Sequence, residues 1–296
     1  MNFFDRVTKL AHQLSEARKT HLLESKKYDR VLRQTLEELS ELVCQPVAKR
    51  LMELGIPKQS RIWLCPTSFL ASLPIHTAGP ISSHTNVKRY LCDIYVCSYT
   101  PGLSALIASR SRTLSGSTSG QRSLLIVGQP DKSLPRVDSG TRSIEFLVGS
   151  GSMISIAGEA ATPENVVARL LMHPWVHFAC HGVLQPGRPF ESSFLLQHNT
   201  HLTLLHIAKS HVPTAELAFL AACHTAELTE GGTPDEVLHL TAVMQFSGFR
   251  SMIGTLWAMA DDYERDLSEY FYSKMFAAGA QAASYEKSAR VLRHAT

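Results

Sequence analysis

The feature that most constrains this chain is a short apolar run that stops abruptly at a thiol. Residues 217–222 are apolar, Cys223 ends the run, and a loop rich in Gly, Thr and Pro follows. A helical pattern and a second apolar run, residues 252–257, come next, before Asp261 and Asp262. Strand, loop, helix and strand in this order are typical of a βαβ unit. Because functional groups of open α/β sheets collect at the carboxyl ends of strands, we expect Cys223 to lie at such an edge.

A second run has the same form and ends at an imidazole. Residues 175–180 are largely apolar, and His181, Gly182 and a Pro-rich loop follow. His181 lies 42 residues before Cys223, a spacing comparable to the roughly 50 residues between the catalytic residues of caspases. If the two strands are parallel and adjacent, the side chains of His181 and Cys223 face each other at one edge of the sheet. A thiol nucleophile and its base require that arrangement.

The rest of the pattern predicts an α/β protein. Apolar runs typical of strands alternate with segments of helical periodicity, which favours a mainly parallel central sheet covered by helices on both faces. The other predicted strands are residues 61–65, 93–99, 123–128, 152–157 and 193–197, and the predicted helices after residue 100 are 101–112, 141–148, 163–172, 202–210, 263–277 and 281–293.

Helical periodicity also covers residues 1–55, where Pro46 is expected to kink or break the helix. We divide the chain into a helical leader, residues 1–24, and one larger domain, residues 25–296. The helices before residue 55 either pack against the rest of the domain or form a docking surface for a domain that precedes them.

Composition and charge limit the function. A formal net charge of +3 over 296 residues gives no reason to expect a nucleic-acid or membrane surface. The six cysteines show no short repeated spacing, and several lie inside apolar runs, which indicates buried, reduced thiols in a cytoplasmic protein. No run approaches the ~20 apolar residues of a membrane span. No cofactor is expected.

Other cysteines and histidines compete with the pair. Cys180 is adjacent to His181, but neighbours on a strand point to opposite faces, so we expect Cys180 to pack on the far side of the sheet. The same reasoning separates His224 from Cys223. His76 is a possible second catalytic histidine, although a packed, hydrogen-bonded structural role is favoured.

A metal site is a further alternative. His173, His177 and His181 follow one another at intervals of four, which on a helix would align three ligands. Pro174 and the β-rich run between them favour a strand instead and argue against zinc.

Six segments in a fixed order carry a resemblance to a known family. The chain resembles CHAT domains, a caspase- and separase-related module often found after helical repeats, and is most similar to the fungal branch. The matching segments are 61–80 (RIWLCPTSFLASLPIHTAGP), 95–110 (YVCSYTPGLSALIASR), 176–182 (VHFACHG), 217–226 (LAFLAACHTA), 235–240 (DEVLHL) and 251–261 (SMIGTLWAMAD).

The resemblance implies a caspase-like three-layer αβα fold and a catalytic dyad of Cys223 and His181. It also implies regulation by an upstream repeat or sensor domain as the protein's partner. The C-terminal apolar strand of the family is not found in the sequence, so we expect the domain to lack its last strand or to replace it.

The chemistry of such a dyad assigns further roles. When a thiolate attacks a peptide carbonyl, the negative charge moves to the carbonyl oxygen, and two backbone N–H groups should stabilise it. The N–H groups of Gly182 and Cys223 are the candidates, since Gly182 has no Cβ to prevent a close approach. His181 would then protonate the leaving amine.

Acidic residues near the two runs suggest a substrate preference. Asp261, Asp262 and Glu191 are candidates for a pocket that would favour a basic residue before the scissile bond. In the alternative interpretation, which we favour, Asp261 or Asp262 caps the helix that begins near Tyr263.

Two functions follow from this sequence. The first is a cysteine endopeptidase of the caspase/separase type that cleaves a protein or peptide substrate. The alternative is a non-catalytic adaptor that keeps the fold and binds a partner.

Overall fold

The computed structural model describes residues 2–20, 25–79, 90–111, 123–129, 137–149, 151–183, 185, 188–210, 212, 214–221, 243–245, 247–257 and 261–294. These residues form two compact units, one ending at Thr100 and the other beginning at Pro101. The predicted division of the chain into a helical leader, residues 1–24, and a larger domain, residues 25–296, stays a prediction.

The first unit begins with three helices, α1 (Phe3–Thr20), α2 (Lys26–Leu39) and α3 (Gln45–Glu53). A π-helical turn, Ser40–Cys44, joins α2 to α3 and leaves Pro46 in the first turn of α3. Proline is tolerated there because its missing N–H would have no partner inside the helix. A kink or break was predicted at Pro46, but the helix continues there, after a wider π-helical turn. Apolar residues of α1 and α2 are buried in one cluster, and Arg6 of α1 pairs with Glu38 of α2 at 2.8 Å.

A parallel pair of strands completes the first unit. Strand β1 (Arg61–Leu64) pairs with β2 (Val96–Tyr99). The predicted strand 93–99 is wrong at its start, since the short helix α4 (Leu91–Ile94) comes before β2. The physical reason is a local hydrogen bond: the carboxylate of Asp93 accepts from the N–H of Tyr90 at 2.9 Å and closes a helical turn.

The second unit is built on a five-stranded sheet. Its strands are β3 (Leu124–Gly128), β4 (Met153–Ala157), β5 (Trp175–Ala179), β9 (Leu217–Leu220) and β10 (Ser251–Ile253). They lie in the order β10-β9-β5-β3-β4, and every neighbouring pair is parallel. The predicted mainly parallel central sheet is confirmed.

Helices cover both faces of this sheet. Even-numbered residues of β5, such as Phe178, share an apolar cluster with helices α7 (Pro163–Leu170) and α8 (Leu204–Ser210). Trp175 shares the cluster on the opposite face with α6 (Val137–Val148), α9 (Asp261–Met275) and residues near α10 (Ser288–Arg293). Strands β3 and β5 are buried along their whole length, as expected for the centre of a parallel sheet. The second unit is a three-layer αβα fold.

Several helix ends follow their sequence signals and others do not. Helix α7 begins at residue 163 as predicted, and Thr162 caps it, since its hydroxyl accepts from the N–H of Asn165 at 3.2 Å. Helix α5 (Leu103–Ser111) begins two residues later than predicted. The predicted helix 281–293 is reduced to α10 and two single 3₁₀ turns, the second of them capped by the hydroxyl of Ser284. The helical pattern after Cys223 falls largely outside the described residues.

A small antiparallel sheet was predicted only in part. Strands β6 (Gly182–Val183), β7 (Ser193–Leu195) and β8 (His201–Thr203) pair in sequence order. Only the middle strand was expected, as residues 193–197. The predicted helix 202–210 is wrong at its start, since β8 ends at Thr203 and α8 begins at Leu204. This sheet begins immediately after His181.

We predict that the packing of β5 against β7 contributes strongly to the stability of the second unit. The ring of Phe178 is fully buried and stacks on Phe194 with ring centroids 4.1 Å apart. Phe178→Ala removes this contact and leaves a cavity, so the free energy of unfolding should fall by ~3–5 kcal/mol in urea titrations.

Phe146→Ala is the matched control, because the side chain of Phe146 on α6 is 90% exposed. We expect it to change the free energy of unfolding by less than ~0.5 kcal/mol. Equal losses in the two variants would contradict this account of the core.

Candidate active site at the carboxyl end of the sheet

The candidate base lies where the central strand ends. His181 is half-buried and follows β5 after one intervening residue, Cys180. Its backbone N–H donates to the side-chain oxygen of Gln129 at 3.3 Å, and its carbonyl accepts from the N–H of Leu195 at 2.7 Å. The predicted position of His181 at the carboxyl end of a strand is confirmed.

The strand that leads to Cys223 is the parallel neighbour of the strand that leads to His181. Trp175 pairs with Leu217, and all four pairs between β5 and β9 join residues 42 positions apart. The condition set by the sequence, that these strands be parallel and adjacent, is therefore met. The described residues of this segment end at Ala221, so Cys223 and His224 lie outside them.

Cys180 and His177 lie on opposite faces of the sheet. Cys180 is fully buried in the cluster that contains Phe178, as predicted. Burial raises the pKa of the Cys180 thiol well above its ordinary value. Because the thiolate is the nucleophilic form, this thiol is a structural one despite its position beside His181.

The pairing of Gly182 with Phe194 determines where its N–H points. The hydrogen bond from Leu195 N–H to the His181 carbonyl flanks this pair, which marks it as a non-hydrogen-bonded pair of the antiparallel ladder. The N–H of Gly182 therefore points away from β7. It also belongs to the same peptide group as the His181 carbonyl, so the bond from Leu195 fixes the direction of both.

His173 and His177 are structural. Nδ1 of His177 lies 3.1 Å from the hydroxyl of Tyr272, and its ring stacks on Phe219 with centroids 5.0 Å apart. Burial lowers the pKa of His177 to about 3. Nδ1 of His173 lies 3.0 Å from the Ser123 hydroxyl, and burial, followed by the charge of Arg169, lowers its pKa.

A helical alignment of three histidines does not exist, because residues 175–179 are a strand. Within the described part of the chain, no group of three or more His, Cys, Asp and Glu side chains is arranged to hold a metal ion.

His76 belongs to the first unit and has the predicted structural environment. Its Nδ1 lies 2.8 Å from the hydroxyl of Tyr99, which also accepts from the His76 backbone N–H at 3.2 Å. Burial lowers the pKa of His76 to about 4, so the ring is neutral at physiological pH.

The acidic candidates have partners of their own. Glu191 is exposed and pairs with Arg188 at 3.0 Å. Asp262 lies in the first turn of α9 and pairs with Arg265 at 3.6 Å. Asp261 is the first residue of α9, which begins two residues earlier than predicted, and its side chain lies outside the described residues. Whether any of the three contacts a substrate stays a prediction.

The sequence interpretation missed Gln129. This residue follows β3 directly, its side chain is 7% exposed, and it contacts the backbone of both Ala179 and His181. The available signal was its position, a polar residue at the carboxyl end of a fully apolar strand.

Fold and site together define an α/β protein of the caspase-like class, with a histidine and a cysteine-bearing segment after adjacent parallel strands. The family model of the CHAT domain matches residues 33–295, and the chain belongs to this family. The family is caspase-like and related to cysteine peptidases. Comparison with curated proteins gives no match. The similarity to the fungal branch stays a prediction. None of the described helices has both the length and the apolar character that crossing a bilayer demands.

The pKa of His177 predicts a loss of stability in acid. Below about pH 6.5 the unfolded state protonates this ring, whereas the folded state does so only near pH 3. Between these values the unfolded state binds more protons, so the free energy of unfolding falls as the pH falls. For this ring we expect a loss of about 2–3 kcal/mol between about pH 7 and about pH 4.5.

The measurement is urea unfolding of the wild type and His177→Gln over this pH range. The variant keeps a polar group near Tyr272 but does not titrate, so its loss in acid should be smaller. His294→Gln, at an exposed histidine, should behave like the wild type. Equal pH dependence in wild type and His177→Gln would refute the buried neutral ring.

Proposed function

We propose that this protein is a cysteine endopeptidase of the caspase/separase type, with Cys223 as the nucleophile and His181 as its base. One observation carries the proposal. Strands β5 and β9 are parallel neighbours whose paired residues lie 42 positions apart, and His181 and Cys223 are also 42 positions apart. Continued at the same offset, the ladder pairs His181 with Cys223.

The alternation of faces supports the same pairing. His177 of β5 and Phe219 of β9 are paired in register and stack on each other. His181 and Cys223 follow these two residues by four positions each. If the strand period of two continues, both side chains lie on the face of His177 and Phe219, opposite Cys180.

The reaction uses one thiol, one imidazole and one water. His181 takes the proton of the Cys223 thiol, and the sulfur attacks the peptide carbonyl carbon to form a C–S bond. The tetrahedral intermediate collapses with cleavage of the C–N bond, and His181 gives its proton to the leaving amine. His181 then deprotonates water, which attacks the thioester and releases the carboxylic acid and the thiol.

Backbone N–H groups stabilise the oxyanion of the tetrahedral intermediate. Gly182 is suited to this role because its N–H points away from β7 and is held by the hydrogen bond on the same peptide group. The N–H of Cys223 is the second proposed donor. Donors fixed before the reaction stabilise developing charge without reorganisation, and losing one costs ~10²–10³ in rate.

Recognition of a basic residue, an upstream repeat or sensor domain as partner, and a cytoplasmic location remain part of this proposal. The ion pairs of Glu191 and Asp262 do not exclude contact with a basic side chain, since both carboxylates are more than half exposed.

The proposal predicts which of the six thiols is activated. The full chain is treated with a set of peptidyl acyloxymethyl ketones that vary in the residue before the reactive group, and labelled peptides are identified by mass spectrometry. We expect labelling at Cys223 and not at the exposed Cys65 or the buried Cys180. His181→Ala should slow the labelling by ~10²–10⁴-fold, as expected for loss of the base.

Cys180→Ala is the matched control, because it removes the thiol next to His181 on the opposite face of the sheet. It should be labelled at Cys223 like the wild type. Labelling of Cys223 that is no faster than that of Cys65, or that does not depend on His181, would favour the adaptor function.

A further inference from the structure

We infer that Gln129 is a positioning residue that sets the direction of the His181 imidazole. The inference rests on the proposed function, because the ring it would orient is the proposed base. Gln129 lies in the second unit, immediately after β3, and its side chain is buried.

The β3–β5 ladder departs from the regular pattern at its last hydrogen bond. In a parallel ladder, a residue donates to one partner residue and accepts from the residue two positions further along. Gln129 follows this rule on one side, since its N–H donates to the Ala179 carbonyl at 3.0 Å. The regular ladder would next join the His181 N–H to the Gln129 backbone carbonyl. That N–H instead donates to the Gln129 side-chain oxygen at 3.3 Å.

The side-chain oxygen of Gln129 replaces the backbone acceptor that the regular ladder would offer to the His181 N–H. The regular β3–β5 ladder therefore ends at the position of the proposed base. Without the side-chain oxygen, the His181 N–H would be left without this acceptor or would return to the regular ladder, and the peptide would rotate.

Two backbone hydrogen bonds of His181 determine the direction of its ring. Two peptide groups flank the Cα of His181, and each is planar. The side-chain oxygen of Gln129 accepts from the N–H of the preceding peptide group, which is the N–H of His181. The N–H of Leu195 donates to the carbonyl of the following peptide group, which is the carbonyl of His181. Fixing both planes fixes φ and ψ of His181, and with them the Cα–Cβ direction from which the imidazole extends. Gln129 thus acts on the base through the backbone and needs no contact with substrate.

Three substitutions separate the hydrogen bond from packing. Gln129→Ala removes the oxygen and the volume, Gln129→Met keeps the length without the oxygen, and Gln129→Glu keeps both the length and an acceptor oxygen. Gln13→Ala, at an exposed residue of α1, is the control for surface changes.

The first measurement is independent of any activity. Exchange of the His181 amide hydrogen with solvent, followed by NMR on the full chain, reports the hydrogen bond directly. We expect about 10-fold faster exchange in the Ala and Met variants, as for a lost hydrogen bond, and exchange within about threefold of wild type in the Glu variant. Unchanged exchange in Gln129→Met would overturn the inference.

The second measurement is the rate at which iodoacetamide alkylates Cys223, read by mass spectrometry. Gln129→Ala and Gln129→Met should slow it by about 10-fold, Gln129→Glu should restore most of the rate, and Gln13→Ala should leave it unchanged. In a His181→Ala background, Gln129→Ala should have no further effect, since its action runs through the ring.

The outcomes distinguish the two proposals. If His181→Ala slows alkylation but Gln129→Ala and Gln129→Met do not, the positioning role is refuted and the proposed dyad stands. If His181→Ala leaves alkylation unchanged, the dyad itself is refuted, and the positioning role with it. A Gln129→Ala effect that persists in the His181→Ala background would show that Gln129 acts on packing and not on the ring.

Discussion

The register between β5 and β9 is the constraint on which the candidate site depends. A slip of one residue would move every side chain of one strand to the other face, and Cys180 would then take the position expected for His181. Burial on both faces of β5 makes such a slip costly, because Phe178 and Trp175 fill different apolar clusters. Polar contacts also fix the register of β5 and β9 at their amino ends. Trp175 donates its indole N–H to the carboxylate of Glu216 at 2.9 Å, and Glu216 donates its backbone N–H to the Pro174 carbonyl at 2.7 Å.

Position along one strand gives two histidines different environments. His177 lies within the sheet, where helix α9 supplies the hydroxyl of Tyr272 and the phenyl ring of Phe219 covers its face. Desolvation keeps that ring neutral and unable to take up a proton near neutral pH. His181 lies four residues further on, past the end of the ladder, where the backbone is held but the side chain is only half-buried. Cys180 shows the same principle for thiols, since its burial at the centre of a cluster suppresses the reactive form.

The fold could be predicted from the sequence wherever a segment carried a clear apolar run or a clear period. Largely apolar runs predicted β3, β5 and β9, and the predicted helix 163–172 begins at the same residue as α7. The position of His181 and the far-side burial of Cys180 followed from the end of one run and the period of two. These features depend on local sequence and on general rules for parallel sheets.

Other features depend on contacts that no local pattern records. Strands β6 and β8 are two and three residues long and are defined by their pairing with β7. The short helix α4 depends on a single carboxylate, that of Asp93, which a strand-like alternation concealed. Gln129 is 52 positions from His181 in sequence, so its role becomes visible only when β3 and β5 are placed side by side. The sulfur of Cys223 lies outside the described residues, and its place opposite His181 rests on the register alone.

The most direct test is an experimental structure of the protein bound to a peptidyl inhibitor, in which the distance from the Cys223 sulfur to the His181 ring is measured. The account predicts that both side chains lie on the face that carries His177 and Phe219, with sulfur and ring nitrogen roughly 3–4 Å apart. A sulfur on the face of Cys180, with the sheet between it and the imidazole, would contradict it.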